Sequence, residues 1–254
     1  RSWTWTWPWD PTTSTETLIL NAPSGIVQQP LTFLAFGDIQ NGLYRFGDLV
    51  QAMNTETTAE FIISMGDLAQ FSTSAEYDEI DVRFSELELP IYPVPGNHDI
   101  FRPDEYQRRF GRANFSFVHR GARFTGLDSA SARLGNVVWD WTSTWFALGI
   151  GQFHVVFSHI AAFEFQGIRN AQWSSRREAR KFVSMATENS VDLLLFGHLH
   201  THDAYTLGGI PTHISGGAGA IPEKWDSVGR HYLRVTVDPL TQAAPLVEII
   251  DLGD

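Results

Sequence analysis

From residue 31 onward the chain alternates short apolar runs with stretches in which apolar residues recur every three or four positions. The runs near 31–36, 60–65, 91–94, 123–127, 153–157 and 191–196 predict strands. Phe46, Leu49, Val50 and Met53 lie at helical spacing between the first two runs, and Tyr77, Ile80, Phe84 and Leu87 between the next two. Ser175 with Glu178 forms a capping-box pattern that predicts the start of a third helix, with Ala179, Phe182, Val183 and Ala186 toward a sheet. After residue 200 the helical spacing stops, and HYLRVTVD and APLVEIID predict strands at the far end of a sheet. This order of elements predicts an α/β fold.

Residues 1–30 do not follow that pattern. Trp3, Trp5, Trp7 and Trp9 recur at period two, which on an extended chain puts their indoles on one side. The expected role of this aromatic strip is packing on its own domain or another subunit, with contact to a ligand as the alternative. The predicted organisation is a Trp-rich N-terminal extension over 1–30 and one domain over 31–254.

Composition narrows the chemistry. A net charge of −11 argues against a broad nucleic-acid surface, because phosphate backbones are captured by Lys and Arg. No run approaches the roughly 20 apolar residues of a transmembrane helix, so no transmembrane segment is expected. With no cysteine in the chain, any metal has to be held by His, Asp, Glu, Asn or Gln. The compartment is left open, export included if a signal peptide has been removed.

Ligands of open α/β sheets bind beyond the carboxyl ends of the strands. There the chain places Gly37-Asp38, Gly66-Asp67, Gly96-Asn97-His98-Asp99, Ser158-His159 and Gly197-His198-Leu199-His200. A lone Gly-Asp is usually a turn and a lone His usually structural. Their joint placement at successive strand ends points to metal-ligand chemistry. His119, His154, His202, His213 and His231 lack such a setting and are read as structural.

In these motifs the chain resembles the calcineurin-like metallophosphoesterase superfamily, whose pattern runs D-x-H, G-D-x-x, G-N-H-[DE], a single His and G-H-x-H. The resemblance covers roughly residues 31–237, with FTGLDS at 124–129 and THISGGAGA at 212–220 as flanking segments. It implies a four-layer α/β/β/α sandwich of two mixed sheets flanked by helices, with a dinuclear metal site at the strand C-terminal ends. It also implies that Asp38 and His200 bind one metal, that Asn97, His159 and His198 bind the other, and that Asp67 bridges them. Hard carboxylate and amide oxygens with neutral imidazoles suit two divalent or mixed-valence ions of Mn, Fe or Zn. The expected reaction is hydrolysis of a small phosphate ester, either a monoester or a diester. In it a hydroxide held by the metals attacks phosphorus, His98 protonates the leaving oxygen and Asp99 orients His98.

The chain departs from the pattern at Gln40, where the superfamily has His. An amide oxygen is a neutral, hard donor, so Gln40 is expected as a direct or water-mediated ligand, with Mn favoured. Relatives with D-x-Q include Mn-dependent nucleotide-conjugate diphosphatases, which supplies an alternative activity. A phosphate-ligand-binding protein with reduced turnover is another alternative. Leu68, Ala69 and Gln70 follow Asp67, so the tyrosine that colours purple acid phosphatases is absent and no purple enzyme is expected. Arg102, Arg108, Arg109, Arg112, Arg120, Arg123 and Arg133 hold about two fifths of all Lys and Arg. Most are expected on a solvated helix at PDEYQRRFG, with one or two offering a clamp for a second phosphate. The stretch VVWDWTSTWFAL at 137–148 is expected to pack rather than to wall a pocket.

Overall fold

The first apolar run, LTFLAF, becomes strand β1 (Leu31–Phe36), and all of its positions are buried, because both faces of the strand are covered. Its side chains alternate. Leu31, Phe33 and Ala35 join an apolar cluster with residues of a second sheet, whereas Leu34 and Phe36 join one with helix residues such as Phe46 and Leu49. A strand that serves two cores needs apolar residues at both parities, which is why these runs are unbroken.

The computed structural model describes residues 28–167, 171–223 and 228–253. The four tryptophans of the N-terminal strip lie outside the described residues. Sheet one has the order β11 (Leu246–Gly253), β10 (Arg230–Val237), β1, β2 (Ala59–Ser64), β3 (Ile91–Pro93). Within it β1, β2 and β3 are parallel, and β10 and β11 are antiparallel additions. Sheet two has the order β4 (Phe115–His119), β5 (Ala122–Leu127), β6 (Phe153–Ser158), β7 (Leu193–Phe196), β9 (Ile210–Ser215), β8 (His202–Leu207). Its strands β5, β6, β7 and β9 are parallel, and the edge strands β4 and β8 pair antiparallel.

Helices α1 (Leu43–Asn54), α2 (Ser74–Ser85) and α3 (Pro103–Phe110) contribute Phe46, Tyr77 and Tyr106 to the outer core of sheet one. Helices α4 (Asn136–Gly149) and α5 (Arg176–Glu188) contribute Phe146 and Phe182 to the outer core of sheet two. The expected four-layer α/β/β/α sandwich of two mixed sheets is thus the observed architecture. Each predicted strand lies within two residues of an observed one, and Ser175 caps α5 by accepting from the Glu178 amide. Thr73 and Glu76 cap α2 with a complete capping box.

Strands β4 and β8 and helix α4 carry no clear signal in the sequence. Strand β4 is half-buried along its length, so its apolar and polar residues do not segregate. Helix α4 is the Trp-rich stretch, and it packs: Trp139 meets Trp173 edge-on at 6.2 Å, and the Lys181 ammonium lies 4.1 Å from the Trp139 ring centre. Among the described residues no helix is long and apolar enough to cross a membrane.

The inter-sheet core is centred on aromatic rings. Phe124 meets Phe61 edge-on at 5.0 Å and Phe33 edge-on at 5.2 Å, and stacks on Phe117 at 5.2 Å. Phe124→Ala removes all three contacts and leaves a cavity between the sheets. The expected loss is about 3–5 kcal/mol of unfolding free energy in a denaturant titration. A loss under about 1 kcal/mol would mean that the two sheets are not held together here.

Candidate metal centre

The site is built from loops that leave the carboxyl ends of β1, β2, β3, β6 and β7, and backbone hydrogen bonds tie these loops to one another. The Asp38 amide donates to the Gly66 carbonyl at 2.9 Å, the Ile39 and Gln40 amides to the Asp67 carbonyl at 2.9 and 3.1 Å, and the Gly197 amide to the His159 carbonyl at 2.9 Å. From the segment after β9, the Ala220 amide donates to the Asp38 carbonyl at 2.9 Å. Asp38, Gln40, Asp67 and His198 all have left-handed backbone conformations, with φ of 67, 43, 55 and 73°. Such strain in residues with a Cβ persists only where the surroundings impose it, and it gathers at functional sites. At Gly96 a Cβ would stand 2.1 Å from Asp67 Oδ1, so only glycine lets that loop approach the carboxylate.

The side chains converge from there. His159 donates Nδ1–H to the Met65 carbonyl at 2.7 Å, which leaves Nε2 facing Asn97 Oδ1 at 2.9 Å and Asp67 Oδ2 at 3.4 Å. Asp67 Oδ1 accepts the His98 amide at 2.8 Å, and Oδ2 accepts the Gln40 side-chain amide at 2.6 Å. Asp38 Oδ2 accepts the His198 amide at 2.9 Å, while its Oδ1 lies 3.6 Å from His200 Nε2. His200 donates Nδ1–H to the Ile221 carbonyl at 2.9 Å. Carbonyl partners of this kind fix the tautomer and direct Nε2 into the site.

Charge is the unusual feature. Asp38 and Asp67 are 0% and 1% exposed. Burial pushes the Asp38 carboxyl well above the usual carboxylate range, against the opposing pull of His159. Asp67 is also raised by burial, but the His159 charge and hydrogen bond outweigh that and hold it below its ordinary value. Burial would lower His159, yet the Asp67 charge wins and pushes the imidazole up to about 9. His198 is pushed down to about 3, chiefly by burial and next by the charge on His159. The charge on Asp67 thus favours the imidazolium form of His159, beside two buried carboxyl groups.

These residues fit divalent cations. Asp67, His159 and His198 bring their ligand atoms within 4.8 Å of one another. Asp38 Oδ1 is buried with no hydrogen-bond donor among the described residues, an orphaned acceptor that costs about 1–3 kcal/mol unless a cation or water meets it. Asn97 Oδ1 adds a neutral oxygen to this set of carboxylates and imidazoles, whereas Gln40 presents its amide nitrogen to Asp67.

Every expected ligand residue is thus in one place, but Asp99 is not where it was expected. Its carboxylate accepts from the amides of Leu68, Ala69 and Gly96 at 3.1, 3.1 and 2.9 Å and from the Tyr77 hydroxyl at 2.9 Å. It shapes two loops and leaves His98 to another group. Burial, then the charge on Asp67, pushes Asp99 up to about 6. What orients His98 is the Gln70 carbonyl, which accepts Nδ1–H at 2.8 Å. A backbone carbonyl at the end of GDLAQ has no side-chain signature, so no sequence motif announces it. Of the arginines, Arg108 pairs with Glu105, Arg109 with Asp78 and Asp81, and Arg120 with Glu60, and Arg123 donates to Ser116.

A model of the calcineurin-like phosphoesterase family matches residues 31–202. No curated protein sequence matches the chain. Among solved structures, a purple acid phosphatase from yellow lupin seeds is similar at 13% identity and a TM-score of 0.72, over 91% of this chain and 52% of that one. This chain thus spans about half of the lupin protein. A dimetal phosphatase from Danio rerio is similar at 13% identity and a TM-score of 0.65, over 85% and 98% of the two chains. The protein described as the anchor in the inner membrane complex of Plasmodium is similar at 13% identity and a TM-score of 0.62, over 89% and 90%. At such identities the likeness is one of fold.

A cation held by these residues stabilises the folded chain by mass action. Titrating Mn²⁺ into the metal-stripped protein is expected to raise its thermal midpoint, by the equivalent of about 2.7 kcal/mol at a hundredfold excess over the dissociation constant. Asp38→Asn is expected to remove at least half of that gain. An unchanged midpoint in the parent protein would show that the donors do not hold a cation.

Proposed function

The chain belongs to the calcineurin-like phosphoesterase family, and on that premise we propose that it hydrolyses small phosphate esters with two divalent cations. One cation would be held by Asp38, Gln40 and His200, the other by Asn97, His159 and His198, with Asp67 between them. The observation that carries this reading is the gathering of Asp67, His159 and His198, whose ligand atoms lie within 4.8 Å of one another, together with the buried, donorless Asp38 Oδ1 that stands 3.6 Å from His200 Nε2. Bound cations supply charge stabilisation for the phosphoryl oxygens and lower the pKa of water. Mn is favoured, because Gln40 puts a neutral amide where a further imidazole would otherwise stand.

The chain's own residues do the rest. His98 donates Nδ1–H to the Gln70 carbonyl, so in the imidazolium form Nε2 holds the proton for the leaving oxygen. The Phe101 ring meets the His98 ring edge-on with centres 5.6 Å apart and limits its swing. The imidazole is therefore positioned by a carbonyl and an aromatic ring, neither of which competes for its acidic proton. In this reading residues 31–254 form the catalytic domain. Residues 1–30 are an appended segment whose tryptophans supply an apolar contact to that domain, to another subunit or to a ligand.

A second reading is a phosphate-binding protein of reduced turnover. It is favoured by the 2.6 Å bond from Gln40 to Asp67, which occupies the carboxylate that the reaction needs between its cations. The Plasmodium neighbour, described as an anchor, has the same fold.

The test is metal analysis followed by rates on a monoester, a diester and a nucleoside diphosphate with Mn²⁺, Zn²⁺ or Fe²⁺. Full metal occupancy without turnover of any of them would favour the binding protein. His98→Ala is expected to lower turnover about 10²–10⁴-fold on esters with alkoxide leaving groups and much less on p-nitrophenyl esters, with metal content unchanged. A loss of metal in that variant would make His98 a ligand instead.

A further inference from the structure

Three histidines outside every motif of the centre meet at one edge of the sandwich. His202 begins β8, the edge strand of sheet two, His213 lies in the neighbouring β9, and His231 lies in β10 of sheet one. Strand alternation gives them a common side. Leu207, Ile210 and Ile214 belong to the outer core against α5, so His202 and His213, at the opposite parity, point toward sheet one. His231 shares the parity of Leu233 and Val235, which pack between the sheets. The ring centres of His202 and His213 are 5.4 Å apart, and the His231 ring meets that of His202 edge-on at 6.2 Å. Elsewhere the space between the sheets is filled by apolar side chains such as Phe33, Phe61 and Phe124.

We propose that His202 and His213 hold a Zn²⁺ ion, at a site separate from the dinuclear centre and independent of the phosphoesterase reading. The two donor atoms already face each other, with His202 Nε2 and His213 Nδ1 3.2 Å apart. Two nitrogens bound to a tetrahedral ion at about 2.0–2.1 Å stand roughly 3.3 Å from each other. The spacing is thus that of a chelating pair, and it is at the long end for a hydrogen bond. Neither histidine forms an ion pair among the described residues. Ser215 supplies a second, independent observation. It pairs with His202 in register, which puts it beside that ring on the same face, and its buried Oγ has no hydrogen-bond partner among the described residues. A hydroxyl left so is costly, and water on an ion between the two rings would satisfy it. His231 donates Nδ1–H to the Gly229 carbonyl at 2.8 Å, which fixes its ring as the wall of the site.

The donor set chooses the metal. Two imidazoles and a hydroxyl, with no carboxylate, suit Zn²⁺ and do not suit Mn²⁺ or Mg²⁺, which prefer carboxylate and carbonyl oxygens. The dinuclear centre, with two aspartates and an amide oxygen, is the harder site, so the two sort ions by chemistry. Entry is open, because both histidines are half-buried and β8 is an edge strand. An ion here ties β8 to β9 at the base of their hairpin, where His202 pairs with Ser215. Both ends of that hairpin lead to the dinuclear centre. His200 precedes His202 by two residues, and beyond Ser215 the Ala220 amide donates to the Asp38 carbonyl while the Ile221 carbonyl accepts from His200. Zn²⁺ at the hairpin base therefore steadies the two segments that frame Asp38 and His200.

Metal counting decides it. The protein is saturated with Zn²⁺, freed of loose metal by gel filtration and analysed by plasma mass spectrometry. The parent chain is expected to keep one Zn²⁺ more than His202→Gln and His213→Gln, while His119→Gln, which loses an imidazole outside the cluster, matches the parent. After loading with Mn²⁺ instead, the parent and both cluster variants are expected to give the same count. In calorimetry Asp38→Asn is expected to bind this Zn²⁺ at least tenfold more tightly than Asp38→Asn combined with His213→Gln. A dinuclear centre that holds no metal lowers every count alike and leaves the difference of one, so failure of that reading is distinguishable from failure of this one. The parent chain needs no variant for a second measurement: in nitrogen-15 NMR of the histidine rings, added Zn²⁺ is expected to shift His202 Nε2 and His213 Nδ1. Equal Zn²⁺ counts in the parent and the folded cluster variants, or ring signals of His202 and His213 that Zn²⁺ leaves in place, would make the pair a hydrogen bond only and overturn the proposal.

Discussion

The structure depends on two carboxylates being held out of water with too little positive charge beside them. Asp38 and Asp67 are buried to 0% and 1% exposure, and His159 is the imidazole pushed toward its charged form between them. Burying an ionised carboxylate costs several kcal/mol unless it is paired and hydrogen-bonded. The fold meets part of that cost with backbone amides: His198 donates to Asp38, and His98 to Asp67. Those amides point inward because the site loops turn through left-handed conformations, and the turns are sustained by the backbone bonds that knit the loops of both sheets. One electrostatic requirement thus explains the strained backbone, the glycine at position 96 and the layered sandwich that delivers the loops to one place.

His98 illustrates how much of such a site is built from main chain. Its ring is aimed by the Gln70 carbonyl, while the neighbouring Asp99 holds the amides of Leu68, Ala69 and Gly96 and so fixes the loops on either side. The carbonyl of Met65 does for His159 what that of Ile221 does for His200. In each case a carbonyl can only accept, so the histidine must protonate Nδ1 and turn Nε2 to the reacting side. Two of these carbonyls come from sheet one loops, and that of Ile221 comes from the segment after β9, so the protonation pattern of the centre is a consequence of how the two sheets meet.

Two exposed aromatic rings add a second layer to this arrangement. Phe71 and Phe101 follow ligand-bearing turns within a few residues, and both are tied to His98, one through its backbone neighbours and one through ring contact. A surface with a net charge of −11 offers an anion few places to settle, and the paired arginines of α3 are occupied by Asp78, Asp81 and Glu105. Recognition of a phosphate ester then falls to the centre itself.

The unbroken apolar runs and the helical spacing of Phe46, Leu49, Val50 and Met53 determined the fold class without coordinates, and the Gly-Asp and Gly-Asn-His-Asp turns at strand ends named the side chains that the fold gathers beyond those strands. These are local properties: a strand covered on both faces is apolar at every position, and a ligand at a strand end is placed by the strand. Tertiary structure alone decided that Asp99 serves the loop backbones, that Gln40 bonds Asp67, that β4 closes an edge of sheet two, and that His202, His213 and His231 meet between the sheets. Each of these rests on residues far apart in the chain, or on backbone groups that every residue carries. The pattern of side chains along the sequence has no means of recording either.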